Sequence, residues 1–320
     1  MTVISSTRIV DPAVYRRMGP RAAVLARRAN VADCWSAGAT LRKLLTPGFA
    51  DEAPPIYPIG GNASAAEIAL DVSRRAIAHA SLDADDIDGV IYCHTVLDAR
   101  LSDSTAGRLQ HELGLKRANP FAISQAHHVA TAIGLDLAIA LIDGPERNRH
   151  VLLAASDTLL FEGLQGRSRS LMFAEVGAAA IVSREGTSGW RVEHVLLDQM
   201  HAAGQGLKQR RSEDEIPAIA EFCAGGLRRA LQQAGIEAAE VDAAVAIGMG
   251  LEDAARVHGS AGIADVPTWR PQAARLGRFG ASDLLLALAD LESTTRAREV
   301  ILEWSCGMNG EFACVLLTRH

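Results

Sequence analysis

The chain has 320 residues, 48% of them hydrophobic and 22% charged, with a formal net charge of −6. That length suits two domains or one built from two similar halves. The acidic balance and the lack of a Lys/Arg block argue against nucleic-acid or anionic-membrane partners. No run of 18 apolar residues occurs, and Met1 to Gly19 carry no apolar leader core, so the expected location is the cytoplasm. Cys34, Cys93, Cys223, Cys306 and Cys314 form no CxxC or Cys/His spacing, which predicts reduced thiols and no metal site.

Along the chain, Ile68, Val72, Ala76 and Ala80 form a helical apolar stripe. An acidic turn and the apolar run GVIYCHT follow, the latter reading as a strand buried on both faces. The same order returns later. RRAIAHASLDADDID (Arg74 to Asp88) matches RRALQQAGIEAAEVD (Arg228 to Asp242) at a constant offset of 154 residues, and AAVAIGM follows the second copy as GVIYCHT follows the first. RHVLLAAS (from Arg149) matches REVILEWS (from Arg298) at an offset of 149, and GAAAIVS (from Gly177) matches FACVLLT (from Phe312). Each half therefore reads helix, acidic turn, strand, variable stretch, buried helix, strand, turn, strand. Such a duplication predicts a layered α/β structure. The charged stretch QGLKQRRSEDEIP (Gln205 to Pro217) reads as an exposed connection between the halves, residues 1–205 and 206–320.

Several segments carry a family likeness: DDIDGVIYCHT, STAGRLQHELGL, FAISQAHHVATAIGLDLAIALI, VLLAASDTL, FAEVGAAAIV, VDAAVAIGMGLE, LGRFGASDLLLAL and the closing VILEWSCGMNGEFACVLL. In this order, from about Asn62 onward, they resemble β-ketoacyl-acyl-carrier-protein synthase III of the thiolase superfamily. The resemblance implies an α/β thiolase fold in which two duplicated mixed-sheet halves pack as five layers, αβαβα. It also implies a CoA or phosphopantetheine thioester as substrate, no tightly bound cofactor, and a homodimer acting on acyl-CoA or acyl carrier protein. A heterodimer with an active synthase is the alternative.

The family's Cys-His-Asn triad is not kept. The nucleophile position falls on His128 or its neighbour His127, the histidine position on Ile247 and the asparagine position on Arg278. A thiolate at a helix N-terminus accepts an acyl group; an imidazole there tends to stay neutral and is suited to general-base work. The expectation is an acyltransferase in which His128 deprotonates a hydroxyl, amine or water, with Asp283 orienting the ring as a carboxylate does in a triad. Asp283 could equally cap the helix LLLALADL, and His128 could simply fill the vacated space. Cys93, beside His94 at a strand end, is a lesser candidate nucleophile, since adjacent strand residues face opposite sides. Arg278 could bind a ligand carboxylate or phosphate or pair with an acid such as Glu311 or Asp283. Trp35 could line an entrance for a pantetheine arm or be an ordinary packing residue. Glu252 stands where the family tends to place an arginine that docks the carrier protein. Loss of all three triad positions supports a second reading, a non-catalytic partner subunit of an active synthase.

Overall fold

A computed structural model describes residues 3–5, 64–95, 103–144, 148–157, 176–184, 189–200, 215–269, 280–292, 299–307 and 310–319. Helix α1 (Ala65–His79) starts where Ser64 and Glu67 form a capping box: the Glu67 N–H donates to Ser64 Oγ at 3.3 Å and the Ser64 N–H to Glu67 Oε2 at 2.7 Å. Its predicted stripe is the face that packs inward, with Ile68, Val72 and Ala76 buried. Strand β2 (Gly89–Cys93) follows. Then come α2 (Thr105–Glu112), β3 (Asn119–Ile123), α3 (Ala130–Asp143), β4 (His150–Asp157) and β5 (Val176–Ser183). The later residues give β6 (Gly189–Gln199), α4 (Glu215–Ala234), β7 (Ala243–Ile247), α5 (Leu251–Ala261), β8 (Thr268–Trp269), α6 (Asp283–Glu292), β9 (Val300–Cys306) and β10 (Glu311–Arg319). A short first strand, β1 (Val3–Ser5), completes the set.

The strand order is β3-β2-β4-β5-β1-β6-β10-β9-β7-β8. Read from either end inward, the order repeats: an outer strand, two parallel neighbours, then an antiparallel strand and a last one. The duplication is thus a repeat of five strands, and the two sets meet where β1 and β6 pair antiparallel. The expected boundary at residue 205 lies outside the described residues; by strand order β6 sits with the later strands.

The repeat holds in local detail. Left-handed backbone falls at Ser81 and Gly235 (φ 54° and 67°), and short acidic 3-10 turns fall at Ala84–Asp86 and Ala238–Glu240, each pair at the 154-residue offset. The second repeat needs one correction. Val151 lies beside Gly89 and Ile301 beside Ala243, so β4 and β9 are related by 150 residues, not the 149 read from the sequence. The difference matters because a one-residue slip exchanges the two faces of a strand.

Alternation along the strands then builds the layers. Val90, Tyr92, Leu152, Ala154, Ala179 and Ile181 pack under α1 and α2, whereas Ile91, Cys93, Leu153, Ala155, Ala178 and Ala180 face α3 and α6. In the second half Leu302, Trp304, Phe312 and Cys314 pack under α4 and α5, while Ile301, Ala313, Val315 and Leu317 join the same central layer. Two outer helical layers, two five-stranded layers and a central helical layer make up the five-layer arrangement expected. Helix α3 lies close on its sheet because Gly134 has no side chain: a Cβ there would sit 2.7 Å from Cys93 Sγ and 2.8 Å from Leu153 Cδ1.

Candidate active site

The central layer brings together residues that are far apart in the chain. His128 belongs to a 3-10 turn, His127–Val129, that runs straight into α3. Backbone at Gln125 and His127 lies in the left-handed region (φ 66° and 48°), uncommon for residues with side chains. This turn sends the His128 ring inward, where it is 2% exposed. Its Nδ1 lies 2.6 Å from Oδ2 of Asp283, the first residue of α6. A carboxylate only accepts, so Nδ1 carries a hydrogen toward Asp283, and in the neutral ring Nε2 is the unprotonated nitrogen. The Asp283 charge also sits at a helix N-terminus, where the backbone dipoles favour it.

The turn after β7 closes over the ring. At Gly248 (φ 78°) a Cβ would lie 2.9 Å from His128 Cδ2 and 2.7 Å from the Cys306 carbonyl oxygen. Ile247, where the resemblance sets the family's histidine, is buried immediately before it. The nucleophile-position turn, the strand end expected to hold the histidine, and Asp283 therefore converge. Arg278 and Trp35 lie outside the described residues.

His127 is turned differently. Its Nδ1 is buried with no hydrogen-bond partner among the described residues, and burial, followed by the neighbouring His128, holds its pKa below the usual imidazole value. Glu311 opposes that shift. Cys93 is fully buried beneath α3, where its thiol donates to the Ala130 carbonyl at 3.4 Å. Burial pushes the thiol pKa far up, with the Asp157 charge adding to the rise and a hydrogen bond with Thr131 opposing it. A thiol so held is a poor nucleophile. His94 faces the other way and stacks on Tyr92 with ring centres 5.1 Å apart. Cys306 and Cys314 pack in the outer core of the second half, and Glu252 is exposed on α5.

Sequence reasoning missed the support beneath this pair. Asp157, at the end of β4, is fully buried. It accepts from the Thr95 N–H at 2.6 Å, the Thr95 hydroxyl at 2.9 Å and the Ala281 N–H at 2.9 Å. Thr131, in the first turn of α3, donates its hydroxyl to the Ala281 carbonyl. The signal available was a carboxylate ending a long apolar run, in VLLAASD. Among the described residues no group of three or more His, Cys, Asp or Glu is placed to hold a metal ion.

No protein-family profile matches the chain. Among curated proteins it is similar to a β-ketoacyl-[acyl-carrier-protein] synthase III of Clostridium botulinum, 26% identical over 156 residues, which are 46% of this chain and 47% of that protein. The synthase III of Granulibacter bethesdensis is 26% identical over 184 residues, 57% of this chain and 52% of its own. The match thus spans about half the length of these curated relatives. Among solved structures, 3-oxoacyl-[acyl-carrier-protein] synthase III from Aquifex aeolicus aligns over 87% of this chain and 93% of its own, with a TM-score of 0.71 at 18% identity. The priming β-ketosynthase of the R1128 polyketide pathway aligns over 86% and 88%, with a TM-score of 0.71 at 20% identity. An OleA structure from Xanthomonas campestris aligns over 88% and 90%, with a TM-score of 0.74 at 16% identity. Part of the chain is thus similar in sequence to β-ketoacyl-[acyl-carrier-protein] synthase III, and over most of its length it has the thiolase fold of these solved structures.

Proposed function

We propose that this protein is an acyltransferase that takes an acyl group from a CoA or carrier-protein thioester and passes it directly to a hydroxyl, an amine or water. The observation carrying this reading is the 2.6 Å contact between His128 Nδ1 and Asp283, which makes Nε2 the basic atom of the neutral ring. Nε2 takes the acceptor's proton as the acceptor oxygen or nitrogen bonds to the thioester carbonyl carbon. The carbon–sulfur bond then breaks, and the leaving thiolate takes the proton back from the imidazolium. No covalent acyl-enzyme is needed, in keeping with a cysteine, Cys93, whose thiol is sealed under α3.

Burial of His128 to 2% exposure favours a second reading, a non-catalytic subunit that shapes the site of an active partner. One experiment separates the two. Thiol release from a panel of acyl-CoAs and acyl-carrier proteins, with alcohol and amine acceptors, is compared for wild type, His128→Ala and Cys93→Ala. The acyltransferase reading predicts release by wild type and Cys93→Ala and a loss of at least about a hundredfold in His128→Ala. Release unchanged in His128→Ala, or absent from wild type across the panel, rejects it.

A second copy of the chain is the assembly partner we assign. Among the described residues β3 pairs only with β2, and Asn119, Pro120, Phe121 and Ala122 are all exposed along it. A sheet edge carrying an exposed phenylalanine is suited to cover by another chain. Light scattering of Phe121→Lys against wild type tests this; a wild type that is monomeric at micromolar concentration rejects it.

A further inference from the structure

The turn before Asp283 is held in place: both backbone polar groups of one of its residues, Ala281, are gripped from the other half of the fold. The 3-10 turn Gly280–Ser282 leads directly into Asp283. Within it, the Ala281 N–H donates to Asp157 Oδ2 at 2.9 Å and the Ala281 carbonyl accepts from the Thr131 hydroxyl. Asp157 and Thr131 are both fully buried. Asp157 is itself anchored to the end of β2 through the Thr95 N–H and hydroxyl, so it cannot follow the turn if the turn moves. Thr131 lies three residues after His128, so it ties the turn to the helix that carries the imidazole.

We infer that Asp157 and Thr131 are positioning residues. They clamp the Ala281 backbone, by its N–H and its carbonyl, between β4 and α3, and so hold the Asp283 carboxylate at hydrogen-bond distance from His128. The inference rests on the His128–Asp283 pair of the proposed site, but not on the acyl chemistry assigned to it. A fully buried carboxylate that accepts three hydrogen bonds is a rigid anchor. An asparagine in its place keeps the shape but turns one acceptor oxygen into a donor, which opposes either the Thr95 or the Ala281 N–H.

The test is the His128 Nδ1–H proton resonance, followed by NMR on histidine-labelled protein and assigned by the signal that disappears in His128→Gln. Asp283→Asn sets the scale, because it replaces the charged acceptor by a neutral amide and so moves the signal upfield. Asp157→Asn and Thr131→Val should move it in the same direction by at least about half as much, since each frees one side of the Ala281 backbone. Tyr92→Phe is the structural control. Its hydroxyl makes a buried contact of 3.0 Å with Ser156 Oγ next to Asp157, and its loss should leave the signal where it was. Should Asp157→Asn fail to fold, Thr131→Val decides alone. A wild-type signal in the clamp variants, with Asp283→Asn shifted, overturns the positioning role and spares the pair. A wild-type signal in Asp283→Asn overturns both.

Discussion

Glu303 stands on the central face of β9, flanked in the sheet by Val245 and Val315. Its counterpart at the 150-residue offset is Leu153. The side chain is fully buried, and neither carboxyl oxygen has a hydrogen-bond partner among the described residues. Burial, and then the nearby Asp283 charge, raise its pKa well above the usual 4.5, so the folded protein holds it protonated. A buried polar group without a partner costs about 1–3 kcal/mol, and leucine fills a similar volume. Above the ordinary carboxylate range the folded chain binds a proton that the unfolded chain has released, so stability falls as pH rises. The slope is roughly 1.4 kcal/mol per pH unit until the folded group itself ionises. Glu303→Leu therefore stabilises the fold by about 1–3 kcal/mol in mild acid, and its advantage widens with pH. Urea unfolding of both proteins at several pH values between about 5 and 7.5 measures this. An advantage that stays constant with pH would show that Glu303 is not held neutral. A less stable leucine variant would show that the carboxyl has a stabilising role the contacts do not reveal.

Gly248→Ala should destabilise the protein by about 1–3 kcal/mol, because it combines a left-handed backbone with a Cβ 2.7 Å from the Cys306 carbonyl. By pushing the His128 ring aside it should also cut thioester turnover by about tenfold or more. Urea melts and thiol release check the two effects separately. Neighbouring glycines in α4 should respond with opposite signs. A Cβ on Gly226 would lie 2.7 Å from Phe312 Cζ, whereas one on Gly225 would meet the flexible tips of Arg229 and Arg228, at 3.5 and 3.8 Å. Gly225→Ala should gain roughly 0.5–1 kcal/mol of helix propensity, and Gly226→Ala should lose about 1–3 kcal/mol to overpacking despite the same gain. Equal effects in urea melts would contradict the packing argument. His258 Nε2 accepts from Trp304 Nε1 at 3.0 Å, and burial holds its pKa below the usual imidazole value. The unfolded chain then binds the proton first, so stability is lost as pH falls below about 6.5. His258→Gln, which keeps an acceptor, should show a shallower acid loss between about pH 6.5 and 5. An unchanged slope refutes that.

The fold was legible because its signals are local and repeated. The Arg-Arg-Ala helices, their acidic turns and the strands after them recur at one offset, and the structure keeps that offset to the residue from Ser81 to Cys93. The β4–β9 match slipped by one because two apolar runs align nearly as well in either register; only pairing with Gly89 and Ala243 fixes it. Of the site, the meeting of His128 and Asp283 was expected from resemblance. Their support was not, since Asp157 and Thr131 act on the backbone of a residue 124 and 150 positions away, and backbone groups leave no mark in the sequence. The left-handed turn at His127 was equally silent, because no glycine or asparagine announces it. Gly248 looked like one more glycine in a turn until the ring beneath it was placed.

In the proposed reaction the imidazole moves a proton and never carries the acyl group. Intact-protein mass, taken from samples quenched while thiol release from a reactive acyl-CoA is under way, tests that most directly. The prediction is an enzyme of unmodified mass throughout turnover. An acyl increment that forms and decays at the rate of turnover, on Cys93 or on His128, would contradict it.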